Sequence, residues 1–478
     1  MKGHTKIILT NVETGEQEIH EGENLITNAL DRIIGIEMAC NRNPNNRILP
    51  IATQALGGIM LFDEELEEDP ENIHFPADVH LVGYANQAVF TADAFRGSYN
   101  AIESGKTDYG FKSVWDFGTT QANGVIKSVA RTHTWGGQCP LYYPLSPEYY
   151  TTNNGSLATD RDWMPIRYQD DYVYLLKGNS STHEMRLGRA KIPSIRMGAA
   201  DYSDVVRSIE IVASWNTEVT TWSYRYYSEM RTVTVYADTP FSYEDGQDGY
   251  IYCMFYGPRR SDTEYDYDIN YFTIKYSDES FEKSETIRLR TGTDYYSDRY
   301  YNDTYCADRF RGHVIKGNLY RYSANRKIIY KIPLNNVGAY SAIRVCSDDE
   351  LDVVDNLAYS FFHNGCLSFE IQHYTENSYY FKEGLIYPDN TAIIIDYNYS
   401  GNNYRDHNNS DQYKRLRIIG EDLMCWYTYD TERICRGWAA NYLGTINNLG
   451  TTITKTAAQT MKIIYTLTDV DSEDEDDE

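Results

Sequence analysis

The sequence predicts an all-β protein, and three observations lead to this fold class. Tyrosine supplies 45 of the 478 residues, against 15 Phe and 7 Trp, and aromatic and β-branched residues favour pleated strands. Most apolar runs are short and are separated by clusters of Gly, Asn, Asp and Ser, as in sheets joined by turns. Two distant segments also resemble each other, which indicates a repeated β unit.

The first predicted element is a terminal β domain over residues 1–140, completed by residues 436–469. Alternating runs at 6–10 and 125–132 predict half-buried strands. The closing run at 461–468 places Met, Ile, Tyr and Leu at every second position, as a strand with one buried face does. We therefore expect a β-sandwich-like domain built from both ends of the chain, with the middle of the chain inserted into it.

Residues 141–164 are predicted to be a linker, because they are rich in Pro, Tyr, Ser, Thr, Asn and Gly and lack hydrophobic periodicity. The inserted module then covers 165–435. Its segment LKGN at 176–179 is echoed by IKGN at 315–318, an offset of 139 residues, which is about three times the 40 to 50 residues of a four-stranded propeller blade. We expect a β-propeller-like module of five or six blades, with a sandwich of the same strands as the alternative.

Charge defines the last element and excludes whole classes of partner. Lys and Arg number 44 against 70 Asp and Glu, a formal net charge of −26, and nucleic-acid binding depends on basic residues that neutralise phosphates. The final residues 470–478 are almost all acidic and predict a disordered tail. The longest apolar runs are too short to cross a bilayer, so we expect no membrane insertion.

The chain contains no recognisable catalytic motif, so a non-enzymatic protein with no cofactor is expected. No metal is expected either, since Asp262, Asp266 and Asp268 lack the Gly and distal Glu of a calcium loop, and His363 and His373 are interpreted as structural. The alternative is a glycan-cleaving propeller, because two carboxylates suffice for that chemistry. Two carboxylates at the same mouth of the propeller would form such a pair. The candidates are Asp245, Asp248, Asp266, Asp268, Asp294, Asp298 and Asp303.

Three tyrosine-rich segments, at 221–229, 265–271 and 293–305, are predicted to be loops at the rims of blades. Aromatic rings stack on the C–H faces of sugars, which favours a host surface glycan or protein as ligand, although tyrosines also pack between blades. The candidate ligand-contact residues are Trp222, Tyr224, Tyr226, Tyr227, Tyr295, Tyr296, Tyr300 and Tyr301.

Several segments of both ends carry a family resemblance: GHTKIILTNVETGEQEIHEGENLITNAL at 3–30, LGGIMLFDEELEEDPENIHFP at 56–76, VGYAN at 82–86, RGSYNAIESG at 96–105, VWDFGTTQANGVIKSVARTHTWGG at 114–137 and TITKTAAQTMKIIYTLTD at 452–469. They resemble structural proteins (tail, tail-fibre or minor structural proteins) of tailed bacteriophages and prophages of Gram-positive bacteria. The resemblance covers about a third of the chain and carries over no catalytic residue. It implies a virion component made in the host cytoplasm.

The resemblance also implies other virion proteins as partners, with multiple copies or a homo-oligomer on a symmetric particle. We expect tail or tail-fibre attachment through the terminal domain and receptor binding by the propeller; a neck appendage or head decoration is the alternative position. The candidate attachment motif comprises Trp115, Asp116, Phe117, Gly118, Asn123 and Gly124, which is interpreted either as a docking surface or as a structural hairpin.

Overall fold

The structure of the chain is a computed structural model. It describes residues 2–29, 55–86, 94–108, 110–133 and 441–468, the strands between 143 and 439, and these residues of their connections: 182, 209, 246, 248–249, 316–317, 326–327, 334–336, 338–340, 345–347, 365 and 387–391. The acidic tail at 470–478 lies outside the described residues. No helix in this part of the chain is long and apolar enough to cross a membrane.

The described strands, in chain order, are β1 Lys2–Asn11, β2 Gln17–Ile26, β3 Gly58–Phe62, β4 Leu81–Ala85, β5 Ser98–Tyr99, β6 Gly105–Lys106, β7 Gly110–Phe117, β8 Gly124–Thr132, β9 Tyr143–Pro144, β10 Met164–Gln169, β11 Tyr172–Asn179, β12 Glu184–Lys191, β13 Glu210–Asn216, β14 Glu218–Tyr226, β15 Glu229–Tyr236, β16 Ser242–Asp245, β17 Tyr250–Tyr256, β18 Ile269–Lys275, β19 Glu282–Leu289, β20 His313–Ile315, β21 Asn318–Tyr322, β22 Ile328–Pro333, β23 Ser341–Arg344, β24 Asp352–Val354, β25 Phe361–His363, β26 Cys366–Tyr374, β27 Tyr379–Ile386, β28 Ala392–Tyr399, β29 Arg415–Ile418, β30 Met424–Thr428, β31 Cys435–Ala439, β32 Thr445–Lys455 and β33 Gln459–Thr468. This composition confirms the all-β prediction.

The two ends of the chain form one barrel-like sheet instead of the sandwich expected from the sequence, because ten strands pair in a single continuous sheet. Its order is β4-β3-β8-β32-β2-β1-β33-β7-β5, with β6 beside β7. Backbone bonds from Tyr84 to Phe95 and Gly97 bring β4 beside the residues that precede β5, so the sheet nearly closes on itself. Alternate side chains of β1 and β33 point inward into the core, and we call this domain the barrel.

The inserted module is a propeller of five blades. Four blades are β10–β13, β16–β19, β20–β23 and β24–β28; the fifth combines β29–β31 with β9. Innermost strands of neighbouring blades touch around one axis: β10 contacts β16 and β29, β16 contacts β20, and β25 contacts β29. A shared hydrophobic cluster joins blades three and four. The propeller prediction is confirmed, with five as the blade number.

Pairing of β9 with β31 closes the ring, since it joins an early strand to the last blade. Both strands modify the predicted boundaries: β9 falls within the expected linker, and β31 extends past 435. The module therefore runs from 143 to 439. The echoed segments do not occupy equivalent places, because 176–179 ends the second strand of blade one while 315–318 turns from the first to the second strand of blade three.

The strand order gives the propeller two distinct mouths. Each blade is an antiparallel meander that begins with its innermost strand, so all innermost strands run in the same direction. We name the end at which they begin the front mouth and the end at which they finish the back mouth. The connections 145–163, 257–268, 290–312 and 400–414 join strand ends at the front mouth.

The back mouth side of blade four packs on the barrel. One hydrophobic cluster contains Phe62 and Phe75 of the barrel domain together with Leu385 and Tyr387 of blade four. The backbone N–H of Leu81 donates to the Tyr387 hydroxyl at 2.9 Å. Both chain crossings between the two domains also lie at this end, so the front end of blade four is the one remote from the barrel.

Candidate functional site

A buried carboxylate with basic partners lies at the front mouth. Asp352 begins β24 and pairs across the ladder with His373 of β26, whose ring Nδ1 contacts its Oδ1. The Lys382 ammonium donates to Asp352 Oδ2 at 2.8 Å, and Lys327 donates to the Asp352 carbonyl at 2.5 Å. We call Asp352, His373 and Lys382 the front cluster.

Local pairing explains why this carboxylate is held so firmly. The innermost position of blade four is split between β24 and β25, which both pair with β26. The N–H of Val354 donates to the Arg326 carbonyl at 2.8 Å and ties β24 to a turn of blade three. The next pair on the same face of these two strands is Val354 and Ile371. Both side chains pack into the hydrophobic cluster between blades three and four. The charged group thus ends an otherwise apolar interblade contact.

Within the front cluster, Asp352 is the least exposed side chain and His373 is the most exposed. The Asp352 side chain is 4% exposed, that of Lys382 19% and that of His373 32%. Burial of a carboxylate is costly unless it is paired, and here both oxygens have partners. A carboxylate bound to one ring nitrogen fixes the orientation and tautomer of a histidine, which prepares the ring for general acid–base chemistry.

Sequence reasoning missed this cluster. It interpreted His373 as structural and selected no partner for it. Asp352 and His373 are 21 residues apart, and only the register of β24 on β26 brings them together. An aspartate at the first position of an innermost strand was the available signal, but recognising it requires the strand assignment.

The candidate rim residues fall into two groups. Trp222, Tyr224 and Tyr226 lie in β14 rather than in a loop, so that prediction was wrong: β14 and β15 form a hairpin in which Trp222 is opposite Val233 and Tyr224 is opposite Arg231. Among the described strands, these two pair only with each other. Strand periodicity in TWSYRY was masked by its polar residues. The others, Tyr227, Tyr295, Tyr296, Tyr300 and Tyr301, lie outside the described residues.

The hairpin of β14 and β15 is connected to the propeller at the front mouth. It follows β13, which ends at the front mouth, and precedes β16, which begins there. We call β14 and β15 the ribbon. The three aromatic residues of β14 occupy alternate positions, which in a strand belong to one face.

Two of the candidate carboxylates lie at the back mouth. Asp245 ends β16, and Asp248 lies in the turn to β17, both at the back mouth. The Tyr252 hydroxyl donates to Asp248 at 2.8 Å; burial raises the pKa of this carboxyl, although its hydrogen bonds oppose the shift. The remaining five lie in 257–268 and 290–312, outside the described residues, in connections that join front-mouth strand ends.

The candidate attachment motif is largely internal. Trp115 and Phe117 are fully buried in the barrel, whereas Gly118 and Asn123 are exposed. The two flanking strands are not a hairpin: β7 pairs with β33 and β8 with β32, so four strands separate them in the sheet. A hairpin is the shortest connection for adjacent runs, but barrel closure places other strands between them. Asp116 accepts from the Asn100 amide at 2.8 Å, and Gly124 begins β8.

Lys455 holds the loop between these strands. Its ammonium donates to the Gly118 carbonyl and to Asn123 Oδ1, each at 2.8 Å, and the residue is 1% exposed. Burial lowers the pKa of Lys455 to about 8. Both of these acceptors are neutral oxygens.

Lys455→Met is therefore expected to change the pH dependence of stability. The folded-state pKa near 8 lies below that of an unfolded lysine, about 10.4, so the cost of burying the charge is present below pH 8 and is relieved as pH rises towards 10. Wild type should gain stability relative to the variant over that range. Urea unfolding of both proteins at pH 7 and pH 10 measures the difference; a constant difference would contradict it.

No group of three or more His, Cys, Asp and Glu that could hold a metal ion occurs among the described residues. The two cysteines whose side chains are described, Cys346 and Cys366, are buried and belong to no disulfide.

Comparisons with known proteins give structural matches only. No protein-family profile and no curated protein matches the chain. An endo-arabinase from Bacteroides thetaiotaomicron matches 59% of this chain and 93% of its own at 10% identity and a TM-score of 0.27. An α-L-arabinofuranosidase from Lactobacillus brevis matches 59% of this chain and 89% of its own, at 9% identity and a TM-score of 0.28. The β-propeller domain of the trilobed protease from Pyrococcus furiosus matches 77% of this chain and 97% of its own, at 10% identity and a TM-score of 0.24.

These matches correct one expectation and extend no further. The expectation that the chain is not an enzyme is overturned, because an endo-arabinase and several α-L-arabinofuranosidases are among the matched structures. At such low identities the likeness concerns the propeller fold alone. The sugars in those names belong to the matched proteins.

Proposed function

We propose that the protein cleaves a glycan at the front mouth of its propeller. The observation that carries the proposal is the front cluster: a buried aspartate on an innermost strand, bound to a histidine that reaches the mouth. Cleavage of a glycosidic bond requires proton transfer to the leaving oxygen and a second group that attacks or activates water. His373 is the proton-transfer residue, and Asp352 is its positioning residue.

The second group comes from the connections of the same mouth. Segments 257–268 and 290–312 carry seven aspartates, and both connect strands whose ends are at the front. Lys382 neutralises Asp352 within the cluster, so the ring of His373 is oriented without an excess of negative charge below it. This arrangement supports a neutral polysaccharide as substrate, because the −26 net charge of the chain repels polyanions.

The test is release of new reducing ends from a panel of neutral and acidic polysaccharides. We expect release from at least one neutral polysaccharide, and the same rate for Glu210→Gln, which removes an exposed ion pair with Arg189 on blade one. Folded wild-type protein that releases no reducing ends across the panel would overturn the proposal.

The ribbon is proposed as the glycan-contact rim of this mouth. Aromatic stacking contributes about 0.5–1.5 kcal/mol per ring, so Trp222→Ala and Tyr224→Ala should each raise KM by about threefold to tenfold with little change in kcat. Ser223→Ala, at the intervening position of the same strand, is the matched control. Equal KM values for all variants would remove the ribbon from the site.

The barrel supports a second proposal, attachment to a phage virion. Every segment of the resemblance above lies in the terminal regions, and their described residues belong to the barrel domain. We propose that the barrel binds other virion proteins in multiple copies, on a tail, a neck or a capsid, with the propeller presented outward. Mass spectrometry of purified particles would detect the chain; particles without it, from cells that make it, would contradict this role.

A further inference from the structure

The junction between barrel and propeller contains a histidine between two carboxylates. His80 lies just before β4 in the barrel domain. Its Nδ1 is 3.3 Å from Asp63 Oδ2 of the same domain, and its Nε2 is 3.2 Å from Asp389 Oδ2, in the turn between β27 and β28 of blade four. One imidazole thus bridges the two domains.

The protonation state of the ring decides whether both contacts are attractive. An imidazolium has two N–H donors and can bond to both carboxylates, whereas a neutral imidazole has one N–H and one lone pair. In the neutral form, one carboxylate therefore faces a lone pair. Histidine is the side chain that changes charge between pH 5 and 8.

The other groups around the ring keep their charge over this range. Tyr387 packs edge-on against His80, with ring centroids 4.5 Å apart, and burial raises the pKa of its hydroxyl. Cys366 in the same cluster also has its pKa raised by burial. Burial of Asp389 opposes ionisation, but hydrogen bonds from Thr391 and the charge of His80 lower its pKa overall.

Three further charged groups complete the surroundings. The negative charge of Asp78 in the barrel domain raises the pKa of Cys366, and the positive charge of Lys316 in blade three lowers it. Lys331 of blade three donates to the Pro388 carbonyl at 2.7 Å, beside Asp389, and its pKa is lowered by burial.

We propose that His80 is a pH-sensitive latch that tightens the docking of the propeller on the barrel as the pH falls below neutrality. The apolar contacts of the junction persist at every pH, and the latch adds its second charge-assisted bond only when the ring is protonated. This regulation is independent of the glycan chemistry at the front mouth.

Hydrogen exchange measured by mass spectrometry tests the latch in the full chain at pH 5.5 and pH 7.5, with rates corrected for intrinsic exchange. A charge-assisted hydrogen bond corresponds to about a tenfold change in local opening. We expect amides of 387–391 and 80–84 to exchange about tenfold faster at pH 7.5 than at pH 5.5. In His80→Gln the two pH values should give the same corrected rates.

His20→Gln is the matched control, because His20 contacts Glu18 and Thr451 within the barrel and does not reach the propeller. This variant should keep the pH dependence of the junction. Asp389→Asn should abolish it without altering the ring. Corrected rates that do not change with pH in wild type, or that change equally in His80→Gln, would overturn the latch.

Discussion

Asp352→Asn is expected to lower kcat for glycan cleavage by about ten-thousandfold, the loss seen when the carboxylate of a catalytic histidine is replaced by an amide. Asparagine keeps the size of the side chain but presents either an N–H to the Nδ1 of His373 or a neutral oxygen. The ring then loses its preferred tautomer and the stabilisation of its protonated form. Initial rates of reducing-end release, at saturating substrate, measure the effect.

His373→Gln separates this role from a structural one. It should cost as much as Asp352→Asn, and the double variant should cost no more than either, because the two residues act as a unit. Multiplicative losses in the double variant would assign Asp352 to stability alone.

Trp115→Ala is expected to destabilise the barrel by about 3–5 kcal/mol, the usual cost of truncating a buried aromatic residue. Trp115 is 0% exposed, and the Arg131 guanidinium lies over its ring at 4.3 Å and over the Tyr465 ring at 4.1 Å. Arg131 is itself buried, which lowers its pKa to about 9. Loss of the indole leaves a cavity and removes one of the two rings that stabilise this cation.

Trp115→Phe should recover most of the stability, because a ring remains beside Arg131. Urea unfolding followed by far-ultraviolet circular dichroism gives the three free energies of unfolding. A Trp115→Ala variant as stable as wild type that no longer joined particles would instead identify Trp115 as a docking residue.

The class of fold was predictable because its causes are local. Apolar residues at every second position of 461–468 predict β33. Both ends of the chain share this alternation of apolar and polar residues, which indicates a single terminal domain. The barrel form was not predictable, since it depends on contacts such as Tyr84 with Phe95 and on the separation of β7 from β8. The repeat at 176–179 and 315–318 supported the right fold for an incidental reason, because its two copies differ in position.

The site was less predictable than the fold. The chain has 70 carboxylates, and composition cannot select the one that register places opposite a histidine. Asp352 was identified only after β24 was paired with β26. The ribbon was misassigned because Ser and Arg alternate with its aromatic residues, which is equally typical of a surface loop and of a two-faced strand.

A structure of His373→Gln bound to an oligosaccharide of the cleaved polymer would locate the site of cleavage. The variant retains the mouth but turns over slowly, so an intact oligosaccharide should remain bound. We expect a glycosidic oxygen within hydrogen-bond reach of position 373, with the oligosaccharide extending along the ribbon. An oligosaccharide at the back mouth or on the barrel, with the front cluster empty, would contradict this expectation.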